Sequence, residues 1–475
     1  MGFPLSTSCS RCSTQKTKVL RPLTEQFRTP ENSGGFYDPV AGVSRQFLPA
    51  SNYPLLAADD LSSHPKVTRQ LQPAFEDEAI AYFLQEYCIQ PGPNGFGGHI
   101  DSLQYMYQSS PHDSCLRKTT IATACLCLSR HYKSPALYSM ACANYKTALR
   151  AVSRNLVSTS KSFKDETLMS ILFLGMIEDI DSHDFRKKSN HMLGIARIYE
   201  VAGHRLLNNI HKRQLDGWIF SDLQIPSLNA DESLDCLTVP DSGLDTDNFY
   251  IRLSLIATRV GHFYRRVKQF SSSGQSERHA QQRSKLVSIM QQAMNIQSDL
   301  IEVAGSLPPQ WKTWSSEDSR LIDNKGSATT SRWISCLGCG FNMTLILFFH
   351  SFLSCCRTLV RVDYRNKKPT PETHLAETSM PLAEAQLKRL ITSICTIVPY
   401  VMGETDERGT PLSTLQQKAI VMYRLIWPLA IVVASPQSTR QQVQGCRERL
   451  DWIRDRYGIK LASAAVDIAR DLIYQ

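Results

Sequence analysis

Apolar residues recur at spacings of three and four along most of the chain after its first 75 residues, which is the period of an amphipathic α-helix. The first such stretch places Ile80, Phe83 and Tyr87 on one face, and the loop PGPNGFGG at 91–98 ends it. The strict alternation of apolar and polar residues that indicates β-strands is almost absent. The pattern therefore predicts an all-α fold.

Helical patterns continue to the carboxyl end. One helix is predicted to begin at Asp165 and to bury a face that includes Leu168, Ile171 and Leu172. The last three helices are predicted over residues 414–434, 441–457 and 461–473.

Two regular stretches, 249–270 and 286–303, alternate apolar spacings of four and three. Such a rhythm is typical of helices that pack side by side. A hairpin folded within one chain is the favoured interpretation, and a dimerising coiled coil is the alternative, so the chain is a possible homo-oligomer.

One apolar segment is long enough to cross a membrane. Residues 334–356 carry no formal charge and lie between Arg332 and Arg357. The segment also contains Asn342 and His350, and a helix at the centre of a large helical domain has the same hydropathy. We expect a buried core helix and no membrane partner.

The first 75 residues differ in composition from the rest, because residues 13–75 carry Pro, Ser, Asn and Gly with little periodicity. We therefore predict a weakly ordered arm over 1–75 and a helical domain over 76–475.

The chain has 475 residues, 42% of them hydrophobic, which is ample for a core without disulfides. Its 14 cysteines are too sparse for a secreted disulfide scaffold and, with no visible signal peptide, indicate reduced thiols inside a cell. The net charge of +9 permits a polyanionic partner without requiring one.

The sequence lacks the motifs of common catalytic sites. It has no nucleophile elbow, no HExxH and no phosphate-binding Walker loop. Glu178, Asp179 and Asp181 are the acids that an enzyme would use, but such a charge run is more often a solvated helix end. We expect no catalysis.

No metal site is expected from the histidines or from the internal cysteines. His183, His191, His204 and His211 lie eight, thirteen and seven residues apart, which indicates helix caps or surface positions rather than ligands on one helix face. Cys336 and Cys339 form a CxxC inside the apolar segment, and the other internal cysteines have no ligand spacing. We interpret all of these thiols as small buried side chains.

A short motif near the amino end suggests a more specific chemistry. Residues 9–19, CSRCSTQKTKV, begin with the pair Cys9 and Cys12, and Lys16 and Lys18 follow. This run resembles the first half of the fungal binuclear zinc cluster. In that family six thiolates hold two zinc ions, and the resemblance implies that Lys16 and Lys18 would contact guanine edges in the major groove.

The cluster is incomplete in this chain. Val19 stands at the position of the family's third cysteine, and the next cysteine after Cys12 is Cys88. Two thiolates cannot complete one tetrahedral zinc site. We therefore expect no zinc and no other cofactor, unless missing cysteines are supplied by an exon absent from this sequence.

The chain after residue 75 also resembles the regulatory domain that follows such clusters in fungal-specific transcription factors. The similar segments are AYFLQEYC at 81–88, TTIATACLCLSRHY at 119–132, ACANYKTALRAVSRNL at 141–156, DETLMSILFLGMIEDI at 165–180, NHMLGIARIYEVAG at 190–203, LPPQW at 307–311, and RLIWPLAIVVAS at 424–435 with the basic amphipathic helix after it.

The resemblance implies a transcriptional regulator in the nucleus of a fungus. Such proteins often control gene clusters for secondary metabolites. The expected partners are other transcription regulators or the transcription machinery, with DNA bound only weakly or through a partner. The alternatives are an intact zinc-cluster factor whose exon after Lys18 is missing, a helical interaction protein without catalysis, and an enzyme.

Overall fold

The computed structural model describes residues 75–89, 100–157, 164–181, 191, 249–273, 279–305, 328–365, 369–406, 408–413 and 417–474. Over these ranges the regular structure consists of twelve α-helices, with no strand. The all-α prediction is confirmed. The chain divides between Ala74 and Phe75, and all of the described residues lie after that point.

The helices are α1 (Phe75–Tyr87), α2 (Leu103–Ser109), α3 (Cys115–Tyr132), α4 (Pro135–Val157), α5 (Asp165–Asp181), α6 (Phe249–Ser273), α7 (His279–Gly305), α8 (Ala328–Arg365), α9 (Pro371–Val401), α10 (Ala419–Ala434), α11 (Arg440–Tyr457) and α12 (Leu461–Tyr474).

Local sequence signals fix several helix ends. A capping box opens α9, in which the Thr370 side chain accepts from the Thr373 backbone N–H and the Thr373 side chain accepts from that of Thr370. Thr439 and Gln442 form the same arrangement at the start of α11. Gly458 ends α11 with a φ of 68°, a left-handed conformation that favours glycine.

Helix α10 is the centre of the core. Apart from Tyr423 and Arg424 its residues are apolar, and it is buried along nearly its whole length, as expected of a helix surrounded by others. It packs against α8, α9, α11, α12 and α1. The carboxyl-terminal third of the chain therefore folds around one buried helix.

Helices α1 and α10 cap each other across the chain. The Lys418 ammonium, just before α10, donates to the carbonyl oxygens of Gln85 at 2.6 Å and Cys88 at 2.9 Å. In return, the Glu86 carboxylate accepts from the Ala419 backbone N–H at 3.2 Å. A cation at the end of one helix and an anion at the start of the other both complement the helix dipoles. This exchange joins the first described helix to the core.

The apolar segment 334–356 lies within α8, which packs along α9 and contacts α6, α7 and α10. In the described part of the chain, 331–365 is the one helix long and apolar enough to cross a bilayer, and 67% of its most apolar stretch is buried in the fold. Trp333 and Phe348 are fully buried, and the Phe348 ring lies 5.4 Å from that of Phe263 on α6. This packing favours a core helix.

Helices α6 and α7 contact each other and α8, so the hairpin predicted from their rhythm is formed within the chain. The apolar faces of α6 and α7, which a dimerising coiled coil would use, are largely buried in this packing within the chain. Its buried residues are Ile256, Val260, Phe263 and Val267 on α6 and Leu286, Ile289, Ala293, Ile296 and Val303 on α7.

Helix α5 is buried on nearly all sides, between α1, α3, α4 and α12. Leu168 and Ile171 are buried as predicted, but Leu172 is only half-buried. Its neighbour Phe173 is 1% exposed, and the Phe173 ring meets that of Phe83 edge to face at 5.5 Å. The predicted buried face is therefore wrong at Leu172.

Candidate functional site

The residues predicted to bind zinc or DNA, Cys9, Cys12, Lys16 and Lys18, lie outside the described residues. Their roles stay predictions. Among the residues that the structure describes, no group of three or more His, Cys, Asp or Glu side chains has the geometry to hold a metal ion.

The best-defined cluster of charged side chains lies at the acidic end of α5, formed by Glu178, Asp179 and Asp181. Carboxylates at a helix C-terminus oppose the helix dipole and need compensation from elsewhere. The sequence interpretation of a solvated helix end is wrong here, because Asp181 is only 9% exposed.

Asp181 is held by donors from three other elements. Arg130 of α3 forms an ion pair with its carboxylate, Tyr138 of α4 donates to it at 2.8 Å, and Lys460 donates to it at 2.7 Å. Gly458 leaves room for Arg130, because a Cβ atom at position 458 would lie 2.8 Å from the Arg130 Cβ. A carboxylate bound in this way is a fixed anion that joins α3, α4, α5 and the α11–α12 turn.

The same contact changes the chemistry of Tyr138. Burial raises the pKa of its phenol above the usual value, and the hydrogen bond to the Asp181 carboxylate and the negative charge of that carboxylate raise it further. The phenol therefore stays protonated at neutral pH and serves as a hydrogen-bond donor.

The other two acids also have partners. The Tyr423 hydroxyl of α10 donates to the Asp179 carboxylate at 2.5 Å, and a carboxylate oxygen of Glu178 lies 3.3 Å from the Nε2 atom of His191. Two of the three acids that an enzyme would use, Asp179 and Asp181, are thus bound by neighbouring side chains of the fold, and Glu178 lies beside the His191 ring. Their geometry is that of structural contacts between helices.

His191 is the one member of the predicted histidine group that the structure describes; His183, His204 and His211 lie outside it. Of the two expected positions, a helix cap or the surface, the surface is wrong for His191, which is 4% exposed. Burial lowers the pKa of its imidazole to about 4, so the ring is neutral at pH 7 beside Glu178.

The thiols of the CxxC in α8 are buried. Burial raises the pKa of Cys336 to about 12, and that of Cys339 is raised well above its usual value for the same reason. Thiols that stay protonated at neutral pH are poor nucleophiles and poor metal ligands. Of the eleven cysteines that the structure describes, nine are buried, and Cys142 and Cys395 are half-buried.

One pair of thiols was not anticipated from the sequence. Cys446 on α11 and Cys395 on α9 influence each other's ionisation: the Cys395 sulfur raises the pKa of Cys446, and the Cys446 thiol lowers that of Cys395. Fifty residues separate the two positions, and no spacing rule connects cysteines on two helices so far apart. Only the packing of α9 against α11 brings them together.

Two of the five arginines of α11 are paired with carboxylates. The Arg449 guanidinium donates to Glu404 at 2.8 Å, and Arg454 pairs with Asp451 and Asp455 on its own helix. A DNA-binding surface needs cations that are free to displace counterions from phosphates. Of these two arginines, Arg449 links α11 to the residues after α9, whereas Arg454 pairs with exposed acids of its own helix.

A half-buried histidine, His350, makes the stability of the domain depend on pH. Burial, aided by the positive charge of Arg357, lowers the pKa of His350 to about 4, and its Nε2 atom lies 3.0 Å from the Ser435 hydroxyl. Because the pKa is higher in the unfolded chain, near 6.5, this stability is present above that value and is lost as the pH falls towards 4. We expect His350 to account for about 2 kcal/mol of lost unfolding free energy between pH 7 and pH 5, measured by urea denaturation.

The matched variants are His350→Gln and His374→Gln, since His374 is 68% exposed on α9. The difference between pH 7 and pH 5 should shrink in the first and persist in the second. An unchanged difference in His350→Gln would contradict the assignment.

Comparison with protein-family models, with curated proteins and with solved structures found no match to this chain.

Proposed function

We propose that this chain is a transcriptional regulator of a fungal nucleus, and that its helical domain acts through other regulators or the transcription machinery. Its own zinc-cluster module is incomplete, so it reaches DNA weakly or through a partner. Control of a secondary-metabolite gene cluster is the pathway that the family resemblance favours.

The observation that carries this proposal is the placement of the family-like segments. Five of the seven quoted segments lie on described helices: α1, α3, α4, α5 and α10. Helix α3 packs against α1, α4 and α5, and α1 packs against α10. Segments far apart in the sequence therefore build one packed body, as expected if they belong to a single domain.

The charges of this body support action through partners. Asp181 and Asp179 at the end of α5 are engaged by Arg130, Lys460, Tyr138 and Tyr423, and Arg449 of α11 is paired with Glu404. These side chains are used in contacts within the fold.

The intact zinc-cluster factor remains the second candidate, because Cys9 and Cys12 keep the spacing of the family's first ligands. Genomic DNA after codon 18 distinguishes the two. An in-frame exon with four more cysteines would restore a complete cluster, and its absence favours the regulator without its own zinc module.

A fusion experiment tests the proposal directly. Residues 75–475 are joined to a heterologous DNA-binding module, and transcription of a reporter carrying that module's binding site is measured in a fungal host. We expect a several-fold change relative to the module alone, because the helical domain would recruit partners to the promoter.

The matched fusions carry Phe173→Asp, which disrupts the core, and Leu172→Asp, which alters a half-buried neighbour. The first should lose the effect and the second should keep it. A reporter that is unchanged by the unaltered fusion, at normal protein abundance, would refute the proposed function.

A further inference from the structure

The segment between α9 and α10 forms a turn with a fixed base and an exposed tip. At the base, the Arg449 side chain of α11 donates to the Glu404 carboxylate at 2.8 Å, and the Leu412 backbone N–H donates to the Glu404 carbonyl at 2.8 Å. At the tip, Gly409 has a φ of 80°, which favours glycine. Residues 408–413 are all exposed. The fold therefore holds a short piece of chain out in solvent.

The tip carries Thr410 directly before Pro411. A serine or threonine followed by proline is the minimal sequence that proline-directed protein kinases accept. Proline also restricts the residue before it to extended backbone, the form in which a kinase binds the chain around its acceptor. The dipeptide alone is a weak signal, since the described part of the chain contains five such pairs. A sixth, at Thr29, lies outside the described residues.

The fold separates Thr410 from the other four described pairs. Two of their acceptor residues, Ser110 and Ser435, are buried, and the other two, Ser134 and Thr370, are half-buried. Each of the four hydroxyls is hydrogen-bonded within the fold: Ser110 to Glu166, Ser134 to the Leu137 backbone N–H, Thr370 to Arg283, and Ser435 to His350. Among the five described acceptors, Thr410 is the one on the exposed surface.

We propose that Thr410 is the acceptor of a phosphoryl group that a proline-directed protein kinase transfers from ATP. The Thr410 hydroxyl oxygen forms a bond to the γ-phosphorus, the bond from that phosphorus to the oxygen of the β-phosphate breaks, and ADP leaves. The hydroxyl proton passes to the catalytic base of the kinase. The site concerns how the chain is modified, and it does not rest on the proposed function.

A phosphate on Thr410 would disturb the turn that presents it. The Asp406 carboxylate accepts from the backbone N–H groups of Arg408 and Thr410, both at 2.8 Å. A phosphate adds about −1.5 to −2 charges at neutral pH. Because it is attached to the residue that already contacts Asp406, the two anions would be closer than the Debye length, about 8 Å at physiological salt. Their repulsion should release Asp406 from the Thr410 N–H.

The test incubates the full folded chain with ATP and a purified mitogen-activated protein kinase, a proline-directed enzyme, and maps the phosphopeptides by mass spectrometry. We expect phosphate on Thr410, at a rate at least tenfold above those of Ser110, Ser134, Thr370 and Ser435. Synthetic peptides of equal length centred on Thr410 and Thr370 are the matched substrates. The tenfold preference should be absent between these peptides, because the fold supplies it.

Variants of the exposed tip assign the site. Thr410→Ala and Pro411→Ala should lose the phosphate at this position, and Thr410→Ser should keep it. Ser134→Ala, at a half-buried pair that opens α4, should leave phosphorylation of Thr410 unchanged. The unaltered chain supplies the main readout, so a variant that fails to fold does not decide the test.

Hydrogen exchange measures the effect on the turn. In the phosphorylated chain, the peptide covering 404–412 should exchange several-fold faster than in the unmodified chain, whereas a peptide from the middle of α11 should not change. Equal exchange at 404–412 in the two forms would contradict the release of Asp406.

Three outcomes would overturn the proposed site. The first is a Thr410 peptide that the kinase does not phosphorylate. The second is a folded chain that gains no phosphate on Thr410 under conditions in which that peptide is phosphorylated. The third is a folded chain in which Ser134 or Thr370 is phosphorylated as fast as Thr410.

Discussion

Replacing Phe173 with aspartate is expected to unfold the helical domain. The Phe173 side chain is 1% exposed near the middle of α5, and its ring packs edge to face on Phe83 of α1. Loss of a buried phenylalanine costs about 3–5 kcal/mol, and burial of a carboxylate adds several more. That sum is comparable with the whole stability of a domain, roughly 5–15 kcal/mol. Circular dichroism and urea denaturation of the purified variant measure the effect.

The neighbouring substitution Leu172→Asp is the control, because Leu172 is half-buried and its carboxylate could keep contact with water. We expect a loss of about 1 kcal/mol and a folded protein. Equal damage from both substitutions, or a Phe173→Asp variant with an unchanged urea midpoint, would show that the burial of α5 is not as described.

The difference between Leu172 and Phe173 shows what apolar spacing can and cannot predict. The spacing identified α5 as a helix, but the helix is apolar on almost every side because other helices surround it. A helix buried all round has no single apolar stripe, so the 3.6-residue period carries little information about which residue faces water. The packing of the neighbouring helices decides which residues of α5 are exposed to water.

Some helix ends are set by nearby residues and can be predicted from the sequence, whereas others are set by contacts with distant parts of the chain. The predicted starts of the last two helices, 441 and 461, lie within one residue of those observed, since Thr439 and Gly458 are local signals. The predicted start at 414 is wrong by five residues, because α10 begins at Ala419. Its cap is Glu86, a residue more than 300 positions away.

The contacts of the acids at the end of α5 could not be predicted from the sequence for a related reason. The three acids were visible, but the partners of Asp181 come from α3, α4 and the turn before α12. The nearest of them is Tyr138, 43 positions away in sequence. Only the packed fold shows that the acids join helices.

Substituting Asp181 with asparagine is expected to destabilise the domain by about 2–3 kcal/mol. The change keeps the shape of the side chain but leaves the Arg130 and Lys460 cations close together without their shared anion. Breaking a buried pair costs about 3–5 kcal/mol, and the partial exposure of the two cations, 25% and 29%, reduces that cost. Urea denaturation at neutral pH and low salt measures it.

The matched control is Asp467→Asn on α12, where Asp467 is 69% exposed and pairs with Arg470 at 3.1 Å. We expect a change below about 0.5 kcal/mol there, because water screens an exposed pair. Adding Lys460→Met to Asp181→Asn should recover part of the lost stability, since one of the two unpaired cations is removed. A loss at Asp181 no larger than that at Asp467, or no recovery in the double variant, would mean that the cluster does not hold α3, α4 and α5 together.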